Sequence, residues 1–319
     1  MHQNDSTEMT QGQPAAPMAD PEDRAALASR ILPTMRLSTA QGPLTAPLGP
    51  AQGSTAAERA SNRFQIEGNA VITGGSGTLA YSATRALIEH GLSQVTLMDL
   101  KPSIEAAEEK MTQLNKDFPH VKVHVVMVDV TNEDVAEEAF KKAADIMGGI
   151  DILCCFAGIV GCVHSISASA KDWRKVMDVN LNGSFICAQA AAKHMIASQK
   201  GGSIMFTASI SAHHVNYPQP QAAYNVSKIG VTHLTRNLAA EWAVHGIRVN
   251  CISPGYMDTV LNDGDKLKEV RDIWASRCPM GRMGDVEEIT GPVVLLNSKR
   301  AGRYITGTDL IVDGGAMCF

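Results

Sequence analysis

From Asn62 onward, short apolar runs alternate with longer amphipathic stretches. The runs are rich in Val and Ile: Ala70–Thr73, Gln94–Met98, Val121–Val128, Ile150–Cys155, Ser203–Phe206, Ile247–Ile252 and Leu310–Val312. Between them lie helix-like stretches at Thr78–His90, Ile104–Phe118, Glu133–Met147, Lys171–Ser198, Ala222–His245 and Val286–Leu296. A strand that reads as one apolar run leaves no face for water, so these strands are expected to be covered on both sides. Strands of that kind joined by helices predict one α/β domain over residues 62–319, a doubly wound parallel sheet flanked by helices.

The first 61 residues break this rhythm. Seven of the chain's 14 prolines fall within the first 50 positions, among Gln, Ser, Thr and Ala. Such a segment buries too little apolar surface to offset its conformational entropy, so residues 1–61 are expected to form a disordered or loosely attached leader. Asp5, Glu8, Asp20, Glu22 and Asp23 speak against an organelle-targeting role for it.

Charge and cysteine usage narrow the function. With 28 basic and 33 acidic side chains, a net charge of −5 and no basic stripe, neither nucleic acid nor an anionic membrane is an expected partner. No apolar run reaches the roughly 18 residues of a bilayer span, and the start is polar, so a cytoplasmic protein is expected. The seven cysteines include no C-x-x-C pair, which suits reduced thiols better than disulfides or a zinc site.

The first run leads directly into Thr73-Gly74-Gly75-Ser76-Gly77-Thr78-Leu79-Ala80 and then a helix. Read from Gly75 this is G-x-G-x-x-A between strand and helix: Gly75 permits a tight turn, Gly77 admits a pyrophosphate, and Ala80 permits close packing. The turn makes the domain Rossmann-like and predicts a dinucleotide cofactor at the helix N-terminus. Asp99 ends the second strand, where a carboxylate accepts from both ribose hydroxyls of NAD and repels the extra phosphate of NADP. NAD is therefore the preferred expectation, with NADP also possible because Lys101 lies close by.

Among five tyrosines only Tyr224 has a lysine four residues on, Lys228, inside a helix-like stretch. That spacing puts phenol and ammonium on one helical face, so the ammonium is expected to lower the phenol pKa for proton transfer.

Together with Asp129-Val130, Ala157-Gly158, Asn180 in Val-Asn-Leu-Asn-Gly, Ser209, Arg248-Val-Asn250, Ser253-Pro254-Gly255 with Thr259, and Asp313-Gly314-Gly315, these motifs resemble the short-chain dehydrogenase/reductase family over nearly all of residues 62–319. The resemblance implies NAD(P)-dependent interconversion of a secondary alcohol and a ketone. It implies a tetrad in which Tyr224 exchanges the proton, Ser209 bonds the substrate oxygen, Lys228 holds the nicotinamide ribose, and Asn180 holds a relay water. Thr73, Gly74, Gly75, Ser76, Gly77, Thr78, Leu79, Asp99, Asp129, Val130, Ala157, Gly158, Lys228, Pro254, Gly255 and Thr259 are the implied cofactor contacts. Ser211 competes with Ser209, since it sits at the family's usual 13-residue spacing before the tyrosine.

The chain departs from the family pattern at Thr78 and Ala80, where glycines are usual, and at Cys155-Phe156, where Asn-Asn is usual. The 216–221 loop, Asn225 and the 253–259 segment are similar to fungal polyol and ketose members, which implies a polyol/ketose substrate. His164, Ser165, His213, His214, Asn216 and Gln221 are candidate partners for its hydroxyls. A bulkier ketone, or an idle NAD-binding module, are the alternatives. Tyr256–Trp274 is expected to form a lid hinged at Gly255 and Gly264, and because the matching helices pair between subunits in family members, the resemblance implies a homodimer or homotetramer through the Ala-rich 171–198 and 222–245 stretches.

Overall fold

The computed structural model describes residues 32–259, 262 and 267–319. Two units are distinguished, Met1–Arg36 and Leu37–Phe319. In the first, the described residues 32–36 carry no regular structure. The expected leader lies partly in residues 1–31, outside the described residues.

Among the described residues the larger unit builds one seven-stranded parallel sheet in the order β3-β2-β1-β4-β5-β6-β7. Its strands are β1 (Asn69–Thr73), β2 (Gln94–Asp99), β3 (Lys122–Met127), β4 (Ile152–Cys155), β5 (Gly202–Thr207), β6 (Ile247–Pro254) and β7 (Asp309–Val312). Register runs Ile72 beside Leu97 on one side and Cys154 on the other. Strand order reverses between β1 and β4, and in open α/β sheets the crevice beyond that point takes the ligand.

Alternate residues of β1 feed two cores. Val71 joins Met98, Phe140, Leu153, Phe206 and Trp242. Ala70 and Ile72 join Leu87, Leu114, Met205, Ile289 and Val293 on the opposite face. The helices of the first layer are α5 (Glu133–Met147), α7 (Gly183–Ser198) and α8 (Ala222–Trp242). The second layer holds α2 (Thr78–Glu89), α4 (Glu108–Asp117) and α10 (Thr290–Asn297). The inner apolar strands are thus buried on both sides. The two edge strands are not: Val125 and Met127 of β3 and Ile311 of β7 are exposed.

Several expected helices are interrupted. The 104–118 stretch divides at Ala107 into α3 (Lys101–Ala106) and α4. The 171–198 stretch divides into α6 (Ala170–Met177) and α7 around a π-turn, Asp178–Asn182. Val286–Ile289 is a 3-10 turn ahead of α10.

Helix α1 (Ala56–Phe64) crosses the boundary that composition suggests at residue 62. Thr55 and Glu58 close its N-terminus as a capping box, which supplies two of the N–H groups a helix start leaves open. The segment before it rests on the domain: the Arg303 guanidinium donates to the Ala46 carbonyl at 2.7 Å, and Arg300 to that of Gly49 at 2.8 Å.

Candidate active site

At the carboxyl ends of β1, β2 and β4 lies a cleft of about 1020 Å³. Its floor is the glycine turn. Gly74 has φ +65°, and a Cβ there would stand 2.5 Å from the Ala157 nitrogen, so the turn and the strand-4 loop approach as closely as backbones can. Gly77 is the N-cap of α2 and offers no side-chain cap, so the helix's first N–H groups face the cleft unmasked. The Ala80 side chain is buried, as close packing requires.

Asp99 lines the cleft beside the turn. Its Oδ2 accepts from the Ser76 N–H at 3.1 Å and its Oδ1 from the Leu100 N–H at 2.8 Å. Each oxygen keeps lone-pair capacity for a further donor. Asp129, whose Oδ1 is held by the Thr131 hydroxyl at 2.7 Å, and Val130 form the opposite wall. Lys171, Arg174 and Lys175 line the cleft at i, i+3 and i+4 of α6, a cationic set that the sequence displays but sequence reasoning passed over.

The cleft brings together Gly74, Ser76, Gly77, Thr78, Leu79, Asp99, Asp129, Val130, Ala157, Gly158 and Thr259. Thr73 and Gly75 support the turn from behind: Thr73 is buried, and a Cβ on Gly75 would stand 2.9 Å from that of Leu97. Pro254 ends β6, and Gly255 lines a separate cavity of about 390 Å³ with Tyr256 and Asp313.

The residues present fit a nicotinamide dinucleotide. The Gly74–Gly77 cradle is where a phosphate belongs, and the Thr207 hydroxyl, buried at the far end of the cleft, has no partner among the described residues. Lys228, Gly158 and Asn180 surround that end: a Cβ on Gly158 would lie 3.7 Å from the Lys228 ammonium and 3.4 Å from the Asn180 carbonyl oxygen.

Tyr224 and Lys228 face the same way from the first turns of α8. The Lys228 ammonium lies 5.4 Å from the Tyr224 ring centre and donates to the Thr207 carbonyl at 2.7 Å. Burial pushes that ammonium down to about 8. The expected acidification of the phenol is not what this geometry gives. Burial, the dominant cause, raises the Tyr224 pKa, while a hydrogen bond with Ser209 pulls it down and the nearby Tyr256 phenol pushes it further up. Desolvation outweighs the single opposing contact.

Ser209 meets Tyr224, and its hydroxyl bonds to that of Ser211 at 3.0 Å. Ser211 stands one step back, next to Gln221 at 3.4 Å. Asn180 sits on the π-turn, a distortion common at functional positions. Its side chain is consumed by structure: Oδ1 accepts from the Ile159 N–H at 2.8 Å, and Nδ2 donates to the Ile159 carbonyl and the Ser227 hydroxyl, both at 3.0 Å. These bonds steady the loop after β4, where Cys155-Phe156 supply no carboxamides. Burial pushes the Cys155 thiol up to about 12, which keeps it a neutral packing group.

The candidate hydroxyl partners separate. His164 and Ser165 are exposed, His213 pairs with Asp309 at 2.8 Å, and His214 lies against the Met317 sulfur. Asn216 and Gln221 are buried. Tyr256 and Trp274 stack with ring centres 4.3 Å apart, an aromatic wall that no periodicity in the sequence announces. Of the expected lid, residues 256–259, 262 and 267–274 are described, and the hinge at Gly264 lies outside the described residues.

A parallel Rossmann sheet with a dinucleotide cradle at its switch point and a Ser-Tyr-Lys group beside it defines a nicotinamide-linked oxidoreductase. The comparisons agree. A family profile described as enoyl-(acyl carrier protein) reductase matches residues 75–317. An NADP-dependent mannitol dehydrogenase from Hypocrea jecorina is 39% identical over 263 residues, 81% of this chain and 96% of that protein. A ribulose-forming D-arabinitol 2-dehydrogenase from Candida albicans is 37% identical over 80% of this chain and 95% of its own. Among solved structures, a gluconate 5-dehydrogenase from Burkholderia cenocepacia, in complex with NADP and tartrate, superposes with TM-score 0.72 at 31% identity, covering 82% of this chain and 99% of its own. The chain belongs to the short-chain dehydrogenase/reductase family. It is an NAD(P)-dependent oxidoreductase acting on CH–OH groups.

Proposed function

We propose that the enzyme interconverts a polyol and its ketose, with Tyr224 as acid/base and Ser209 as the hydrogen-bond donor to the reacting oxygen. The observation that carries this reading is the meeting of Ser209, Tyr224 and Lys228 at the Thr207 end of the dinucleotide cleft. A bound nicotinamide dinucleotide supplies the hydride chemistry. The chain's own residues orient and move the proton. With its pKa raised, the Tyr224 phenol holds its proton at neutral pH, which equips it to donate to a ketone oxygen. Ser209 holds that oxygen against the phenol. The Lys228 ammonium, anchored by the Thr207 carbonyl, would hold the nicotinamide ribose at this end of the cleft. Asn180 acts by fixing Ile159 and Ser227, and so the wall of the site.

We further propose that Asp99 sets the choice of coenzyme. Its carboxylate suits the ribose hydroxyls of NAD, whereas the mannitol dehydrogenase relative is named for NADP. Comparing kcat/KM for NADH and NADPH in wild type and Asp99→Ala tests this: the variant is expected to shift the ratio towards NADPH by about tenfold or more. An unchanged ratio removes Asp99 from that role. The polyol reading itself is tested by turnover of mannitol, arabinitol and sorbose beside hydrophobic ketones. Activity confined to the hydrophobic ketones overturns it. A cytoplasmic homodimer or homotetramer completes the proposal. Val226 and Ile229 on α8 and Phe185 on α7 are exposed apolar side chains suited to a subunit contact.

A further inference from the structure

We propose that Tyr256 and Asn216 read a hydroxyl group on the carbon next to the one that reacts, so that the enzyme selects α-hydroxy ketones and vicinal diols over simple ketones and alcohols. This rests on the oxidoreductase reading above and names the substrate feature its site requires.

Trp274 starts the argument. An indole N–H only donates, so its 3.1 Å bond to Gln219 fixes that side chain with its carbonyl oxygen towards Trp274 and its NH₂ towards Tyr256. Gln219 Nε2 then donates to the Tyr256 hydroxyl oxygen at 3.1 Å, and Asn216 Nδ2 donates to the same oxygen at 2.7 Å. Both lone pairs of the Tyr256 oxygen are taken. Its own O–H hydrogen is left for a third partner. Stacking on Trp274, 6° from parallel, holds the ring that carries it.

The complementary acceptor is present. Asn216 is 7% exposed, yet its Oδ1 is buried with no donor among the described residues. A buried carboxamide oxygen is costly to leave unpaired, so one without a partner asks for a ligand's proton. A hydroxyl group is what answers both ends, because it accepts from Tyr256 while donating to Asn216. A carbonyl-only substrate leaves one of the two ends unmet.

Hydrogen bonds tie the Asn216 loop to the catalytic hydroxyls. Gln221, two residues past Gln219, donates to the Ser211 hydroxyl at 3.4 Å, and Ser211 bonds Ser209 at 3.0 Å. Asn216 and Gln219 lie on the loop that follows Ser209 and leads through Gln221 into α8. The same short segment thus carries the catalytic hydroxyls and the specificity groups, and no residue of the Tyr256–Asn216 pair is needed for proton transfer itself.

The experiment compares D-fructose with 2-hexanone, six-carbon 2-ketones with and without neighbouring hydroxyls, using NADH and NADPH. In wild type the ratio of kcat/KM is expected to favour the hydroxylated ketone. In Tyr256→Phe and in Asn216→Val that ratio is expected to fall 10- to 100-fold, the loss appearing mainly in KM. NADPH fluorescence titration reports whether each variant is folded, with dissociation constants within threefold of wild type expected. Ratios that stay within threefold of wild type in both folded variants overturn the proposal. Wild-type activity on 2-hexanone alone overturns it while leaving the oxidoreductase reading intact. Failure to reduce any ketone with either coenzyme overturns both.

Discussion

At the scale of single residues, Tyr224 and Lys228 show why sequence spacing identifies partners without fixing their energetics. The four-residue interval did place the phenol and ammonium together, but the ammonium donates to Thr207, and burial dominates both groups. Tyr224→Phe is expected to lower kcat by about 10²- to 10⁴-fold while leaving NADPH binding by fluorescence unchanged. Retained turnover removes the phenol from its acid/base role. Ketone reduction is expected to decline at alkaline pH, as Tyr224 loses the proton that burial helps it keep. Lys228 makes a second, independent prediction. Its folded pKa of about 8 lies below the ordinary 10.5, so between those values the unfolded chain binds more protons and stability rises with pH. Urea unfolding at pH 7.5 and 9.5 is expected to show a gain of about 2 kcal/mol from this group in wild type, absent in Lys228→Met. Parallel pH profiles for the two proteins contradict it.

At the scale of elements, the strands were legible because burial on two faces leaves a continuous apolar run, and β1, β2, β4, β5 and β6 all carry one. The interruptions were not. The break at Ala107 and the π-turn at Asp178–Asn182 arise in residues of ordinary helical propensity, and tertiary bonds from Asn180 to Ile159 and Ser227 set the second. The aromatic wall was hidden for another reason. Tyr256 and Trp274 are 18 positions apart, and no periodic pattern links a residue just after a strand to one on α9 (Lys268–Ser276). The glycine turn, by contrast, was readable residue by residue. Gly74→Ala puts a Cβ on a left-handed backbone and against the Ala157 nitrogen. It is expected to cost about 1–3 kcal/mol in thermal or urea unfolding and to weaken NADPH binding, since β1 and the strand-4 loop must separate. An alanine variant with wild-type stability and affinity shows that the close approach is dispensable.

At the scale of the whole molecule, composition marked the Pro-rich start, while the bonds that Ala46 and Gly49 accept come from Arg303 and Arg300, some 250 positions away. Assembly is also a property of this scale. Sedimentation velocity at micromolar concentration is expected to show a dimer or tetramer, and Ile229→Asp to shift it towards monomer by placing a charge in an apolar contact. A monomeric wild type counts against the interface. The arginine clasp carries its own consequence. It holds the oxygens of the peptide chain and ignores the side chains that hang from it, so the chemical identity of position 46 is nearly irrelevant to docking, while that of position 303 is decisive. Protease nicking ahead of α1 should therefore follow loss of the guanidinium at 303 and be indifferent to exchanging Ala46 for serine. An insertion tag or reporter graft finds its most tolerant address on the gripped segment, and its least tolerant on the hand that grips.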